Sequence, residues 1–238
     1  YLIPGQEVLL DDGKIHLKIV EKAENVTENG GENTQEKRYF AKVLWGGLLK
    51  SRKSAALPGA KIYPPTLTNS DLANIKIAKE MGVTGVMQPF VRDHSDLERV
   101  KEVLREAGAE DIRLFAKIEN MDGVRKLEKL LPAADEIVIA RGDLGNAVHL
   151  WDLPGVQRQI AEKCRAAGKP FMVVTQMLAS MERSPVPTRA EVNDIFHAVM
   201  DGAASIMVTG ETAVGDYPVE VIRYMVNTVR SAEKEENR

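Results

Sequence analysis

Residues 112–120 read Ile112-Arg113-Leu114-Phe115-Ala116-Lys117-Ile118-Glu119-Asn120, and residues 136–145 read Glu136-Ile137-Val138-Ile139-Ala140-Arg141-Gly142-Asp143-Leu144-Gly145. Each stretch is a short apolar run that ends in charged and small residues, and a helical pattern follows it. Similar runs occur at Val83–Phe90, Phe171–Thr175 and Ser205–Val208. Short apolar runs with little polar alternation suit strands buried on both faces, the habit of parallel sheets. Strands separated by helix-length segments imply βαβ units. Right-handed crossovers then curl such a sheet into a barrel or leave it open and doubly wound.

The segments between these runs carry their own signals. Ser95-Asp96-Leu97-Glu98 reads as a capping box. Leu97, Val100, Val103, Leu104 and Ala107 then share one helix face, with Gly108 as the stop. Thr188-Arg189-Ala190-Glu191 is a second capping box, opening a helix to about Asp201. Pro218 suits the first turn of a last helix, predicted to bury Val219, Ile222, Met225, Val226 and Val229. The charged end, Glu233–Arg238, reads as a frayed tail.

The first 60 residues differ in kind. Turn signals crowd them: Pro4-Gly5, Asp12-Gly13, Asn29-Gly30-Gly31, Gly46-Gly47 and Pro58-Gly59. Between these lie the runs Glu7–Leu10, Ile15–Val20 and Arg38–Leu44. Asp12-Gly13 between apolar runs is a hairpin signal, and no helix of ordinary length fits between the glycines. The segment reads as a small all-β unit.

Composition narrows the function classes. The chain has 238 residues, 44% hydrophobic and 28% charged, with a net charge of −3. A weakly acidic balance without a long basic run argues against nucleic acid or a lipid surface as partner. No apolar stretch approaches the roughly 20 residues that span a bilayer. The lone Cys164 excludes an intrachain disulfide and fits a reducing cytoplasm. Cys164 falls mid-helix, where buried packing is the expectation. The histidines lack metal-pair spacing: His16 reads as an exposed strand residue, His94 as a loop residue, His149 as lying past a turn and His197 as helical. Trp45 and Trp151 are open between core and interface.

In parallel α/β folds, ligands bind at the C-terminal ends of the strands. The candidate site residues all lie there. Glu119 and Asp143 end successive runs, and paired carboxylates suit Mg²⁺ or Mn²⁺. Lys117, two residues before Glu119, falls on the same strand face and can stabilise a transferring phosphoryl group. Arg141-Gly142-Asp143-Leu144-Gly145 offers backbone N–H groups for an anion, although a plain βα turn reads the same way. Thr175 taken alone is an ordinary β-branched residue, or a hydroxyl on the same face.

Taken together, the strand-end motifs resemble the pyruvate kinase family. The blocks that match in order are Lys117-Ile118-Glu119-Asn120, Ala140–Gly145, Thr175-Gln176-Met177-Leu178, Pro187–Glu191 and Gly210-Glu211-Thr212-Ala213. Val8–Gly13 resembles the end of the family's β lid, and Leu57-Pro58-Gly59 its return to the barrel. The resemblance implies an α/β fold of (β/α)8 TIM-barrel type, incomplete in this chain. Residues 1–60 would be part of the β-rich lid domain, and residues 61–238 the barrel portion with the catalytic strand ends. It implies phosphoryl transfer from phosphoenolpyruvate to ADP, giving pyruvate and ATP in the cytoplasm. By position, Lys117 stabilises the phosphoryl group in flight, and Glu119 and Asp143 hold Mg²⁺ or Mn²⁺. The backbone of Arg141, Gly142 and Asp143 binds the substrate carboxylate, and Thr175 lies near the enolate. The family's potassium ligands and nucleotide-contacting residues have no counterpart here.

The chain also departs from the family pattern. Pro89 stands where Ser is usual before Phe-Val-Arg, and Ala147 where an acidic residue is usual. His197 replaces Asn, and Thr209 replaces Ser before Gly-Glu-Thr. Two other readings therefore stand beside the kinase. One is a non-catalytic homologue that binds a phosphorylated ligand or a partner chain. The other is a metal-dependent lyase acting on a keto acid. Five βα units do not close an eight-stranded barrel, so the expectation is a homo-oligomer, or a barrel completed by residues outside this sequence. Size-exclusion and intact-mass measurement on the natural gene product test it; a soluble 26.3 kDa monomer that unfolds cooperatively would overturn it.

Overall fold

The computed structural model describes residues 1–23, 37–60 and 62–236. The Asn29-Gly30-Gly31 turn signal and the last two residues of the predicted tail lie outside the described residues. Two compact units are present, Tyr1–Pro64 and Pro65–Arg238.

The first unit is a four-stranded antiparallel sheet. Its strands are β1 (Glu7–Leu10), β2 (Ile15–Lys22), β3 (Tyr39–Trp45) and β4 (Ala55–Ala56), in the order β3-β2-β1-β4. The expected hairpin joins β1 to β2, with Leu10 opposite Ile15. Asp11, Asp12 and Gly13 all take positive φ (50°, 57° and 81°), which Asp and Gly tolerate better than other residues. Val8, Ile15 and Ile19 form its buried centre. His16 corrects the expectation of an exposed strand residue. It is buried because Trp45 on the neighbouring strand covers it edge-on at 4.2 Å, while its Nε2 lies 3.2 Å from Glu7.

The second unit alternates strands and helices. In chain order it runs α1 (Asn69–Ala78), β5 (Gly85–Gln88), α2 (His94–Glu106), β6 (Arg113–Ile118), α3 (Met121–Arg125), α4 (Leu127–Leu130), β7 (Glu136–Ala140), α5 (Arg141–Ala147) and α6 (Leu153–Ala166). It continues with β8 (Phe171–Val174), α7 (Arg189–Met200), β9 (Ser205–Met207), α8 (Gly210–Ala213) and α9 (Pro218–Glu236). The strands form one parallel five-stranded sheet in simple sequence order, β5-β6-β7-β8-β9.

Register divides the sheet into two unlike faces. Leu114, Ala116, Ile118, Ile137, Ile139, Phe171 and Val173 are buried with the helices in one continuous core. The other face carries Phe115, Lys117, Val138, Ala140, Met172, Val174 and Met207, with only a small apolar cluster around Val138. One face is therefore apolar throughout, and the other is free to carry charge at its ends. No helix among the described residues is long and apolar enough to cross a membrane.

The helix caps show what periodicity alone misjudges. The capping box Thr188–Glu191 forms, and Glu191 also accepts from Ser180 N and Oγ at 2.7 and 2.6 Å. The cap of α2 is Asp93 and not Ser95, since the Asp93 carboxylate accepts from Ser95 N; His94 is thus helical rather than in a loop. Asp96 is then freed to accept from Arg92 and Thr66 (2.6 Å each), buried at 3% exposure. In α9 the buried face is Val221, Thr228 and Ala232, while Val219, Ile222 and Val226 remain exposed. Met225 and Val229 pack against the core as expected, with Tyr224 beside them, and Thr228 joins this face with its hydroxyl donating to Tyr224 O at 2.8 Å. The helix also continues through Glu233 to Glu236 instead of fraying there.

Burial pushes the Asp96 carboxyl up in pKa, but its hydrogen bonds from Arg92 and Thr66 outweigh this and hold it at about 2. A carboxyl depressed in the fold stabilises above its unfolded value and loses that stabilisation as pH falls toward 2. The shift is worth about 2 kcal/mol at neutral pH. Asp96→Asn should therefore lower unfolding stability by about 2–4 kcal/mol at pH 7 and flatten its decline between about pH 4 and 2. An unchanged denaturant midpoint at pH 7 would refute the assignment.

Candidate active site at the C-terminal strand ends

Lys117 and Glu119 share one face of β6 and its extension, as their spacing requires. The Lys117 ammonium lies 2.7 Å from Glu119 Oε1. Glu119 is 2% exposed, and its second oxygen accepts from Phe90 N at 2.7 Å. Both carboxylate oxygens thus have partners, one of them a cation, which is what a buried charge needs. Phe90 offers its amide from a left-handed backbone (φ 51°), unusual for a bulky residue.

The loops after β5 and β6 are stitched together around this pair. Asn120 caps α3 by accepting from Gly123 N at 2.9 Å, and its amide donates to Val91 O at 3.1 Å. A Cβ on Gly123 would stand 2.7 Å from Val91 O, so this close approach requires glycine. Behind the loop, Gln88 donates to Thr66 O at 3.0 Å, and Thr66 donates to Asp96, which holds Arg92. The Phe90 amide is thereby fixed from both sides.

The next strand end brings Arg141, Gly142 and Asp143 together in the first turn of α5, which starts directly after β7. No side chain caps this helix start. Asp143 is half-buried. The Arg141 guanidinium turns toward the next strand, donating to Thr175 O at 2.7 and 3.2 Å and to both Asp194 oxygens at 2.8 and 2.6 Å. Its side chain is committed to protein partners, which leaves the backbone as the part of Arg141 available to a ligand.

Thr175 lies one residue past β8, and here the structure revises the simple reading. Met172 and Val174 point to the Lys117 face, so an extended Thr175 would point at the helices. Thr175 instead takes φ 79° and Gln176 φ 55°, and the side chain turns onto Gly142. A Cβ on Gly142 would meet Thr175 Cγ2 at 3.0 Å. Downstream, Glu211 is buried and accepts from Leu178 N at 3.2 Å and Thr209 N at 2.7 Å.

Three supporting groups escaped the sequence reading, the Phe90 amide, Asp96 and Asp194, and Glu211 stood there only within a matching block, without a role. Asp194 had a faint signal, since it lies one helical turn after the capping-box Glu191 and so on the same side. The others are apparent only once strand ends are placed side by side. Among the described residues no group of three or more His, Cys, Asp or Glu side chains gathers for a metal. Glu119 and Asp143, on adjacent strand ends, are oxygen donors of the class that a hard cation takes together with water and substrate oxygens. His149 stacks on exposed Trp151 at 4.6 Å, and the buried Cys164 thiol is pushed up to about 12 by burial, so neither is part of this constellation.

Known proteins resemble this chain over nearly its whole length. The family model "Pyruvate kinase, barrel domain" matches residues 1–222. The chain is 38% identical over 230 residues to the pyruvate kinase of Bacillus licheniformis, covering 97% of this chain and 38% of that protein. It is 40% identical over 221 residues to that of Geobacillus stearothermophilus (93% and 36%), and 36% over 233 residues to that of Candida albicans (98% and 44%). The chain thus spans roughly two fifths of the length of these relatives. With a matching family model over nearly its whole length, the chain belongs to the pyruvate kinase family.

Proposed function

We propose that this chain carries the catalytic strand ends of a phosphotransferase that moves the phosphoryl group of phosphoenolpyruvate to ADP, giving pyruvate and ATP. The observation that carries the reading is the Lys117 ammonium held 2.7 Å from buried Glu119 at the sheet's C-terminal edge. A transferring phosphoryl group spreads negative charge over its equatorial oxygens. Lys117, a quarter exposed, is a fixed cation in a partly water-excluded place, where its field acts more strongly than in bulk water.

The remaining roles follow by position. Glu119 and Asp143 would hold Mg²⁺ or Mn²⁺, and the backbone of Arg141, Gly142 and Asp143 would receive the substrate carboxylate. Thr175, turned onto Gly142, presents its hydroxyl beside that carboxylate and near the enolate carbon. When bound, the divalent cation would supply charge neutralisation at the substrate oxygens. The Phe90 amide keeps Glu119 oriented. On this reading residues 1–60 are part of a lid, and residues 61–238 are a portion of a (β/α)8 barrel completed by further residues or by another chain. The enzyme would be cytoplasmic, and the residues that bind K⁺ and the nucleotide in the family have no counterpart in this chain.

A coupled assay with phosphoenolpyruvate, ADP and Mg²⁺ on the natural gene product tests this reading. Pyruvate should form in proportion to enzyme. Lys117→Met should cut turnover by about 10²–10³-fold and leave Mn²⁺ binding largely intact, whereas Glu119→Gln should weaken Mn²⁺ binding. A gene product that binds Mn²⁺ and oxalate without any turnover would replace the kinase with a binding-only homologue. Unchanged turnover in Lys117→Met would refute the role given to that lysine.

A further inference from the structure

The turn after β8 contains two consecutive non-glycine residues in the left-handed region, Thr175 at 79° and Gln176 at 55°. A β-branched residue there is a true outlier, and such geometry persists only where its surroundings impose it. Without the turn, strand alternation would send Thr175 toward the helices. The turn therefore aims the side chain, and something must hold the turn.

The Arg141 guanidinium contacts the strained residue directly, with two donors on Thr175 O and a further contact to Met177 Sδ at 2.9 Å. Arg141 is in turn fixed by Asp194 of α7, which accepts with both oxygens from one guanidinium nitrogen, Nη1. Glu211 and Glu191 secure the loop further on, at Leu178 and Ser180. We infer that Asp194 is a positioning residue: by locking Arg141 beneath the Thr175 carbonyl, it holds the left-handed turn that directs Thr175 onto Gly142. Asp194 acts through Arg141, the partner of both its carboxylate oxygens. The inference rests on the phosphotransferase reading only for its effect on turnover, and its structural claim stands apart from it.

The experiment therefore has two readouts. Crystal structures of the full chain and of Asp194→Asn should differ at Thr175 and Gln176, which leave positive φ in the variant while Thr175 moves off Gly142. An unchanged turn overturns the inference, whatever the activity. In the active gene product, Asp194→Asn should lower kcat about 100-fold, with KM for phosphoenolpyruvate within about threefold, as expected for a misplaced group rather than lost binding. A variant altered only in KM overturns it. Gln176→Gly supplies a residue at ease with positive φ, and in the Asp194→Asn background it should restore the turn and most of kcat. If Asp194→Asn alone does not fold, this double variant decides. Recovery of the turn supports the inference, and a double variant as defective as the single one overturns it. Should the parent protein neither turn over nor bind Mn²⁺ with oxalate, the kinase reading fails, and the crystal structures still decide the positioning claim.

Discussion

Side-chain alternation in a sheet with parallel register is the constraint from which the rest of the larger unit follows. Once Ile118, Ile139 and Val173 are buried under helices, Lys117, Val138 and Met172 must point the other way. The second face can carry charge only where the strands stop, because charge deeper in would be buried without partners. Lys117 and Glu119 stand at that limit, and each neutralises the other. The same rule operates at the opposite end of the strands, where Arg113 and Ser205 both donate to buried Glu136.

Carboxylates hold the strand-end loops together. Asp96 fixes the loop after β5, Asp194 and Glu191 fix the loop after β8, and Glu211 ties that loop to the start of α8. For Glu191, burial raises the pKa, but the hydrogen bonds from Ser180 and Thr188 more than offset it and keep it below the ordinary glutamate range. Loops are usually the softest parts of a domain, and a catalytic edge built from loops needs restraint. Asp96, Glu191 and Glu211 accept backbone N–H groups, and Asp194 accepts from the Arg141 guanidinium, all of them charge-assisted hydrogen bonds.

Much of this was legible in the residues. The apolar runs became strands β5 to β9 with their ends shifted by a few residues, because run length does not say where a ladder begins. Lys117 and Glu119 were placed on one face by their spacing alone. The Thr188 box was readable because cap and partner are local. What could not be read depended on neighbours distant in sequence. His16 is buried by Trp45 across a strand pair, and Val219 and Ile222 stay exposed because α9 turns Val221 and Thr228 inward. Thr175 would have been misdirected by alternation, since its direction is set by a backbone turn that Arg141 and Asp194 impose from elsewhere in the chain.

Cys164 lies wholly inside the core of α6, and burial holds its thiol at a pKa of about 12. Thiol reagents attack the thiolate, and at neutral pH this site has almost none and no path to it. The sulfur becomes reactive only when α6 lifts from the sheet. As the only cysteine in the chain, it is an intrinsic clock for that opening: its alkylation rate counts how often the larger unit exposes its interior.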